Sequence, residues 1–511
     1  MRIVLIVFLL LLVSSAFARA QETSANFAEG SVRIGFDSRT CDASLRGALR
    51  YHSANGCIEK CSGAEWSCTV APECSDDSVT KCILPTTRTT GDPQFTAANI
   101  AAGVNILSVT GTLTSGGGTA EAIISPGNMH VCAMLENGPA WCWGESGNGR
   151  LGDGQTTTDR TRSVQVHTDS GAPGWIDWVE IKAAYYHTCG IRSTGKAYCW
   201  GEANSGKLGD GQTSTDRSRP VEVHTNSGSP GWSDWVSIGT GAGHTCGIRS
   251  TGKAYCWGWA NNGQLGDGQT STDRSRPVEV HTGSGSPGWS DWQSISTGIY
   301  HTCGIRTTGK AYCWGDSTGG ALGDGQSTTD RVRPVEVHTD TGSPGWSDWA
   351  AISAGNGHTC GIRSNGTAWC WGWANKGKLG DGQTTTDRPR PVQVHTDTGS
   401  PGWSDWVSIS AGYNHTCGVR GNGTAWCWGE SDFGQLGDGQ NTVDRSRPVQ
   451  VHTDTGSPGW SDWVSISAGG ANSCGIRSGN SAWCWGESSV GAIGDGQTTT
   501  DRMRPWAITA Y

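Results

Sequence analysis

The sequence predicts an all-β chain, a seven-bladed β-propeller of four-stranded antiparallel blades preceded by a small cysteine-rich module. Three observations carry this. Cys132, Cys189, Cys246, Cys303, Cys360, Cys417 and Cys474 recur every 57 residues with no insertion between copies. Cys142, Cys199, Cys256, Cys313, Cys370, Cys427 and Cys484 keep the same step, each followed by Trp-Gly. Each copy holds four short segments separated by Gly-, Asp- and Pro-containing turns, the make-up of one propeller blade, and seven such blades close a ring.

Residues 1–20 read as a secretory signal, with Arg2 before an apolar core over 3–13 and Ala18-Arg19-Ala20 as the cleavage site. The apolar run is too short to span a membrane. An exported chain starting at Gln21 is expected, in which an even cysteine number means disulfides. Residues 21–84 form the cysteine-rich module, with Cys41, Cys57, Cys61, Cys68, Cys74 and Cys82. Their irregular spacing, with only His52 nearby, favours three disulfides over a zinc site. Residues 85–120 hold a short β motif over 95–113 and a linker containing Ser115-Gly116-Gly117-Gly118. The propeller occupies 121–511. The 78 glycines and 27 tryptophans suit short strands and tight turns. With a net charge of −9 and no Lys/Arg cluster, a nucleic-acid partner is excluded from the expectation.

Copy six shows the unit. Strand A is expected over 407–409, B over 415–420, C over 424–428 and D over 449–451. Leu436-Gly437-Asp438-Gly439 lies in the C–D loop, and residues 456–463 cross to the next blade. The B–C turn ends in Gly138, Gly195, Gly252, Gly309, Gly366, Gly423 and, in copy seven, Asn480. Gly and Asn tolerate the positive φ that a three-residue hairpin with a bulge requires. That turn sets Cys189 opposite Cys199 at a non-hydrogen-bonded pair, where side chains approach most closely. One cross-strand disulfide per blade follows, the alternative being reduced cysteines packed as small apolar groups.

The string His-Thr-Cys-Gly-Ile-Arg-x-x-Gly-x-Ala-x-Cys-Trp-Gly, then Gly-x-Leu-Gly-Asp-Gly and Arg-Pro-Val-x-Val, resembles the regulator of chromosome condensation repeat over residues 122–508. The resemblance implies the propeller but not one function, since that family includes a nucleotide exchange factor for a small nuclear GTPase, a plant ultraviolet-B photoreceptor and secreted bacterial propellers. The Pro-Gly-Trp-Ser-Asp-Trp connection departs from the family's shorter units.

Repeated polar residues read as framework. His130, His187, His244, His301, His358 and His415, with Asn472 in the seventh place, start strand B, too far apart around a ring for one metal ion. His167, His224, His281, His338, His395 and His452 are read likewise. Asp153 and its repeats sit in Gly-Asp-Gly turns, and Asp159 and its repeats precede Arg. Self-bonded turns and a local Asp–Arg pair suit them better than calcium, which needs more oxygen ligands. No metal, cofactor or catalytic group is expected, since every candidate acid or base recurs in nearly all copies.

Trp143, Trp200, Trp257, Trp314, Trp371, Trp428 and Trp485 are assigned to the core. Two clusters vary between copies, the pair before the B-strand His and the residues after Trp-Gly. Strand parity sends the A–B and C–D connections to one face, and variable loops on a rigid frame are where binding resides. The candidate binding residues are therefore Tyr185, Tyr186, Trp259, Tyr300, Trp373, Tyr413 and Phe433. The expectation is a secreted or cell-envelope scaffold (periplasm or cell surface) that binds a protein outside the cytosol. The alternative is a multivalent lectin-like propeller binding glycan through the repeated Trp/Asp loops. An exchange factor follows from family analogy alone.

Overall fold

A computed structural model describes residues 122–134 and 138–508, together with the backbone of six short earlier strands. Met1–Thr112 and Leu113–Tyr511 are separate compact units. In the first, Ile34–Gly35, Leu49–His52, Cys57–Cys61 and Trp66–Cys68 form one sheet in that order, and Asn105–Ile106 pairs with Val109–Thr110. The expected signal, the pairing of the six early cysteines and the Gly-rich linker lie outside the described residues.

The second unit carries seven four-stranded antiparallel sheets. In blade two, strands A to D are Trp178–Ala183, His187–Arg192, Ala197–Gly201 and Arg217–Glu222. Blade one uses Ile123–Pro126, His130–Met134, Ala140–Gly144 and Arg160–Gln165. Blade seven uses Trp463–Ala468, Asn472–Arg477, Ser481–Gly486 and Arg502–Ala507. The A strands of consecutive blades touch, so A is innermost. The ring closes on itself: Gly470 N donates to Gly127 O at 2.9 Å and Trp143 Nε1 to Ala492 O at 3.1 Å. Ile124, Val131 and Trp143 share a core there with Cys474, Ile476 and Ile493.

Strand B of copy six matches its expected bounds; the other three are corrected. Strand A runs Trp406–Ala411, strand C Ala425–Gly429 and strand D Arg445–Gln450. Strand D begins four residues early because Arg445 pairs with Gly429 across an irregularity in the ladder. Its Arg-Ser-Arg start looks unlike a strand, yet an outer edge tolerates both those side chains and Pro448.

The B–C turn behaves as its sequence requires. Gly195 has φ +73° and Asn480 φ +62°. Cys189 opposes Cys199 in the ladder, and all seven blades carry the cross-strand disulfide with Cα atoms 4.0–4.1 Å apart.

Blades are joined by one repeated device. The Lys207 carbonyl in blade two accepts Trp257 Nε1 and Thr245 Oγ1 from blade three, both at 2.9 Å. Because Thr245 has spent its proton, its oxygen accepts from Nε2 of His187 at 2.8 Å. Gly209 follows closely under the same indole: a Cβ there would lie 2.8 Å from Trp257 Nε1. The His-to-hydroxyl link recurs from His130 to Thr188, His244 to Thr302, His301 to Thr359, His358 to Thr416 and His415 to Ser473. At the closing seam Val131 replaces the Thr, and Asn472 replaces the His that would have needed it.

These six imidazoles are buried. Desolvation holds them below their ordinary value, to about 3 in His244 and His415 and about 4 in His301, and lower than usual in His130, His187 and His358. The unfolded chain therefore takes up protons first, so this contribution to stability is complete above pH 6.5 and is lost as pH falls toward 3–4. Each imidazole forfeits roughly 1.4 kcal/mol per pH unit in that window. Denaturant midpoints should drop steeply between pH 6.5 and pH 4.5, with a shallower slope in His244→Asn. A flat profile would contradict this ring. Replacing Cys246 and Cys256 together by Ala should lower unfolding free energy by about 2–3 kcal/mol, read from denaturant unfolding at pH 7.

Candidate binding face

The seven candidate residues come from two segments of the blade, and backbone bonding brings both segments to one side. In every blade the amide after Trp-Gly donates to the carbonyl just before the first residue of strand B. The pairs are Glu145 to Met129, Glu202 to Tyr186, Trp259 to Gly243, Asp316 to Tyr300, Trp373 to Gly357, Glu430 to Asn414 and Glu487 to Ala471, at 2.8–3.0 Å. At the other ends of the strands the B–C turns bond the Trp-Ser-Asp-Trp connections, as in Trp235 N to Gly195 O at 2.9 Å. The A–B turns are further linked around the ring, as in Asn356 N to Gly412 O at 3.1 Å and Tyr413 N to Gly469 O at 3.0 Å.

Tyrosines converge at the centre. The Tyr185 ring lies 4.4 Å from Tyr186 and 6.4 Å from Tyr413. Blades two and six are not neighbours, so these rings meet only over the ring axis. Trp259 of blade three meets Tyr300 of blade four edge-on at 5.5 Å. Tyr186, Tyr300 and Tyr413 are 38%, 36% and 37% exposed, while Tyr185, Trp259, Trp373 and Phe433 are half-buried. Partial burial, with Tyr186, Tyr413 and Tyr300 close by, raises the Tyr185 phenol above its usual value. Two candidates stand outside this cluster. Trp373 lies against Gly357, with the Lys378 ammonium 5.3 Å from its ring. Phe433 sits on the blade-six C–D loop, its amide bonded to Gln435 Oε1 at 2.9 Å.

Part of the variation is compensated packing. A Cβ on Gly243 would lie 3.0 Å from Trp259, and one on Gly357 2.5 Å from Trp373. Trp after Trp-Gly occurs only in the two copies with Gly before the His.

Sequence reasoning missed the cations beneath this face. Arg150, Lys207 and Lys378 are buried, each just before Leu-Gly-Asp. Arg150 Nη1 pairs with Glu145 at 2.8 Å and stands 5.4 Å from the Tyr186 ring. Lys207 pairs with Glu202, 5.5 Å from the same ring. Lys378 Nζ donates to Asn356 O at 3.1 Å and Asn414 Oδ1 at 3.3 Å, and burial pushes it down to about 8. The signal was a Lys or Arg at this position in only three copies.

The repeated carboxylates work inside the frame. Asp153 accepts Gln155 N at 3.1 Å and pairs with Arg160 at 2.6 Å, while Asp159 accepts Ser146 N at 2.9 Å. The Asp–Arg pair thus joins Arg160 to the turn aspartate rather than to its chain neighbour Asp159. On the opposite face each first Trp of the connection is half-buried under a guanidinium. Arg249 stands 4.2 Å over Trp232 and is held by Asp234 at 2.8 Å, with the Tyr255 ring 4.7 Å from the indole.

A model of the regulator of chromosome condensation (RCC1) repeat matches residues 194–248, 251–305, 308–362, 365–419 and 422–476. A second model of that repeat matches 178–207, 235–264, 292–321, 349–378 and 406–435. The ultraviolet-B receptor UVR8 of Arabidopsis thaliana is 30% identical over 390 residues, covering 76% of this chain and 81% of that protein. The human E3 ubiquitin-protein ligase HERC2 is 26% identical over 375 residues, which are 73% of this chain but 7% of its own length. Among solved structures, human WBSCR16 has a TM-score of 0.60 at 16% identity, covering 73% of this chain and 94% of that one. Saccharomyces cerevisiae Prp20p has a TM-score of 0.55 at 19% identity, covering 68% and 80%. With matching repeats set on a closed ring of seven blades, the chain belongs to the regulator of chromosome condensation repeat family.

Proposed function

We propose that this chain is a protein-binding scaffold working outside the cytosol, with the variable face as its recognition surface and no reaction of its own. The observation that carries the reading is the convergence of Tyr185, Tyr186, Tyr300 and Tyr413 over the axis, partly open to solvent and supported by backbone bonds common to all blades. Rigid aromatic anchors held on a fixed frame suit a binding hot spot. Binding rather than catalysis is supported by the employment of the repeated His, Thr and Asp side chains between and within blades. Seven cross-strand disulfides support an oxidising compartment. Family relatives support protein binding in general terms, since yeast Prp20p has binding properties to Gsp1p and histones.

The glycan-binding alternative needs open indole faces in the Trp-Ser-Asp-Trp loops. Against it stands the guanidinium stacked on each first Trp, as Arg306 over Trp289 at 4.3 Å.

Tyr413→Ala and Tyr300→Ala should shift unfolding free energy by no more than about 0.5 kcal/mol. Each should weaken ligands selected on the native protein from a random peptide display library by roughly 30-fold, the ~2 kcal/mol of a hot spot. Selected ligands whose affinity is indifferent to both changes would refute the reading.

A further inference from the structure

The seven copies permit an internal comparison of one small constellation. It consists of the residue before the strand-B start, the residue after Trp-Gly and the residue before Leu/Ile-Gly-Asp. In blade two these are Tyr186, Glu202 and Lys207, and the ammonium pairs with the carboxylate beside the phenol ring. Blade one supplies Arg150 to Glu145 in the same manner, against the same Tyr186 ring. In blades one and two the chain therefore builds cation–carboxylate pairs from its own residues against one aromatic ring, Tyr186.

Blade four keeps two parts of that constellation and lacks the third. Tyr300 occupies the place of Tyr186 and is 36% exposed. Asp316 occupies the place of Glu202, and its amide bonds Tyr300 O at 3.0 Å. The cation position is Ala321. Asp316 accepts the Thr318 amide at 2.8 Å and the Thr318 hydroxyl at 2.5 Å, and among the described residues no cation pairs with it. Trp259 adds a second aromatic ring, 5.5 Å from Tyr300. Blade seven shows the same loss, Glu487 with Ala492, but there Ala471 takes the aromatic place. Among the described blades, only blade four joins a carboxylate without a cation partner to an exposed tyrosine and a half-buried tryptophan.

We propose that the Trp259–Tyr300–Asp316 sector receives a Lys or Arg side chain from a partner protein. The incoming cation takes the role that Lys207 and Arg150 play within the chain. The proposal rests on the binding role of this face and specifies the chemistry of the partner. Charge complementarity favours it, since the carboxylates after Trp-Gly in blades one, two and six are already paired, Glu145 with Arg150, Glu202 with Lys207 and Glu430 with Lys376, whereas Asp316 has no such cation among the described residues. A guanidinium both stacks on aromatic rings and bonds a carboxylate, so Arg fits the sector best.

The test titrates the full propeller with a blocked hexapeptide carrying three arginines, following indole fluorescence. Its counterpart with citrulline has nearly the same shape but no charge. The arginine peptide should bind and the citrulline peptide should bind at least 10-fold more weakly. Asp316→Asn and Trp259→Ala should each weaken the arginine peptide about 10-fold. Asp397→Asn, an equal charge change at an exposed site on the opposite face, should leave it within twofold. Equal loss in Asp316→Asn and Asp397→Asn would reduce the effect to net charge and overturn the proposal. So would indifference to Trp259→Ala. Library-selected ligands that depend on Tyr413 but contain no Lys or Arg would overturn it too, while leaving the face as a binding surface.

Discussion

The fold depends on a carbonyl that is shared between blades. In the loop before Leu/Ile-Gly-Asp of blades two to six, one backbone oxygen accepts an indole N–H and a hydroxyl from the next blade, as Gln264 O does from Trp314 and Thr302 at 2.9 Å. The hydroxyl is then fixed as the acceptor for a buried imidazole of the preceding blade. Three side chains and one carbonyl thus set the spacing between sheets that share no ladder. Their register is strict because each group has spent its proton before the next bond can form. Neutral imidazoles make this compatible with a dry core, at the expense of sensitivity to acid.

The joint also explains which residues are free to vary. Disulfide, His, Thr, Trp and the Gly beneath the indole hold each blade and its neighbour without help from the A–B turn side chains. Those turns share backbone bonds that recur whatever the side chain, with side-chain bonds added at positions such as Asn414, so Tyr, Asn, Ala or Gly can follow one another around the ring. The closing seam departs furthest from the rule and clarifies it. Val131 removes the hydroxyl, Asn472 removes the imidazole, and Trp143 alone bonds the Ala492 carbonyl. Imidazole and hydroxyl are lost together, as expected if the pair functions as a unit.

Much of this was legible from period and parity. The 57-residue step located the blades, and the three-residue turn set the two cysteines opposite one another, which the ladder bears out. Parity placed both variable clusters on one face. What was not legible needed distances between blades. Thr245 follows His244 in sequence, yet its partner is His187, one blade away. The meeting of Tyr185 with Tyr413 depends on ring closure across 228 residues and leaves no local mark. Strand D was misplaced because Arg445 and Arg447 mask an edge strand whose pairing begins at Gly429. The cations under the face were hidden because three copies out of seven looked like drift.

The central claim is that stability and recognition occupy different residues of the same repeat. The most direct measurement is a protease-resistance scan of a displayed library saturated at two sets of positions: Thr188, Thr245, Thr302 and Thr359 in the joint, and Tyr185, Tyr186, Tyr300 and Tyr413 on the face. The account predicts that most substitutions in the first set lose resistance, while most in the second keep it. Equal intolerance in both sets would contradict the account, because the tyrosines would then be part of what holds the ring together.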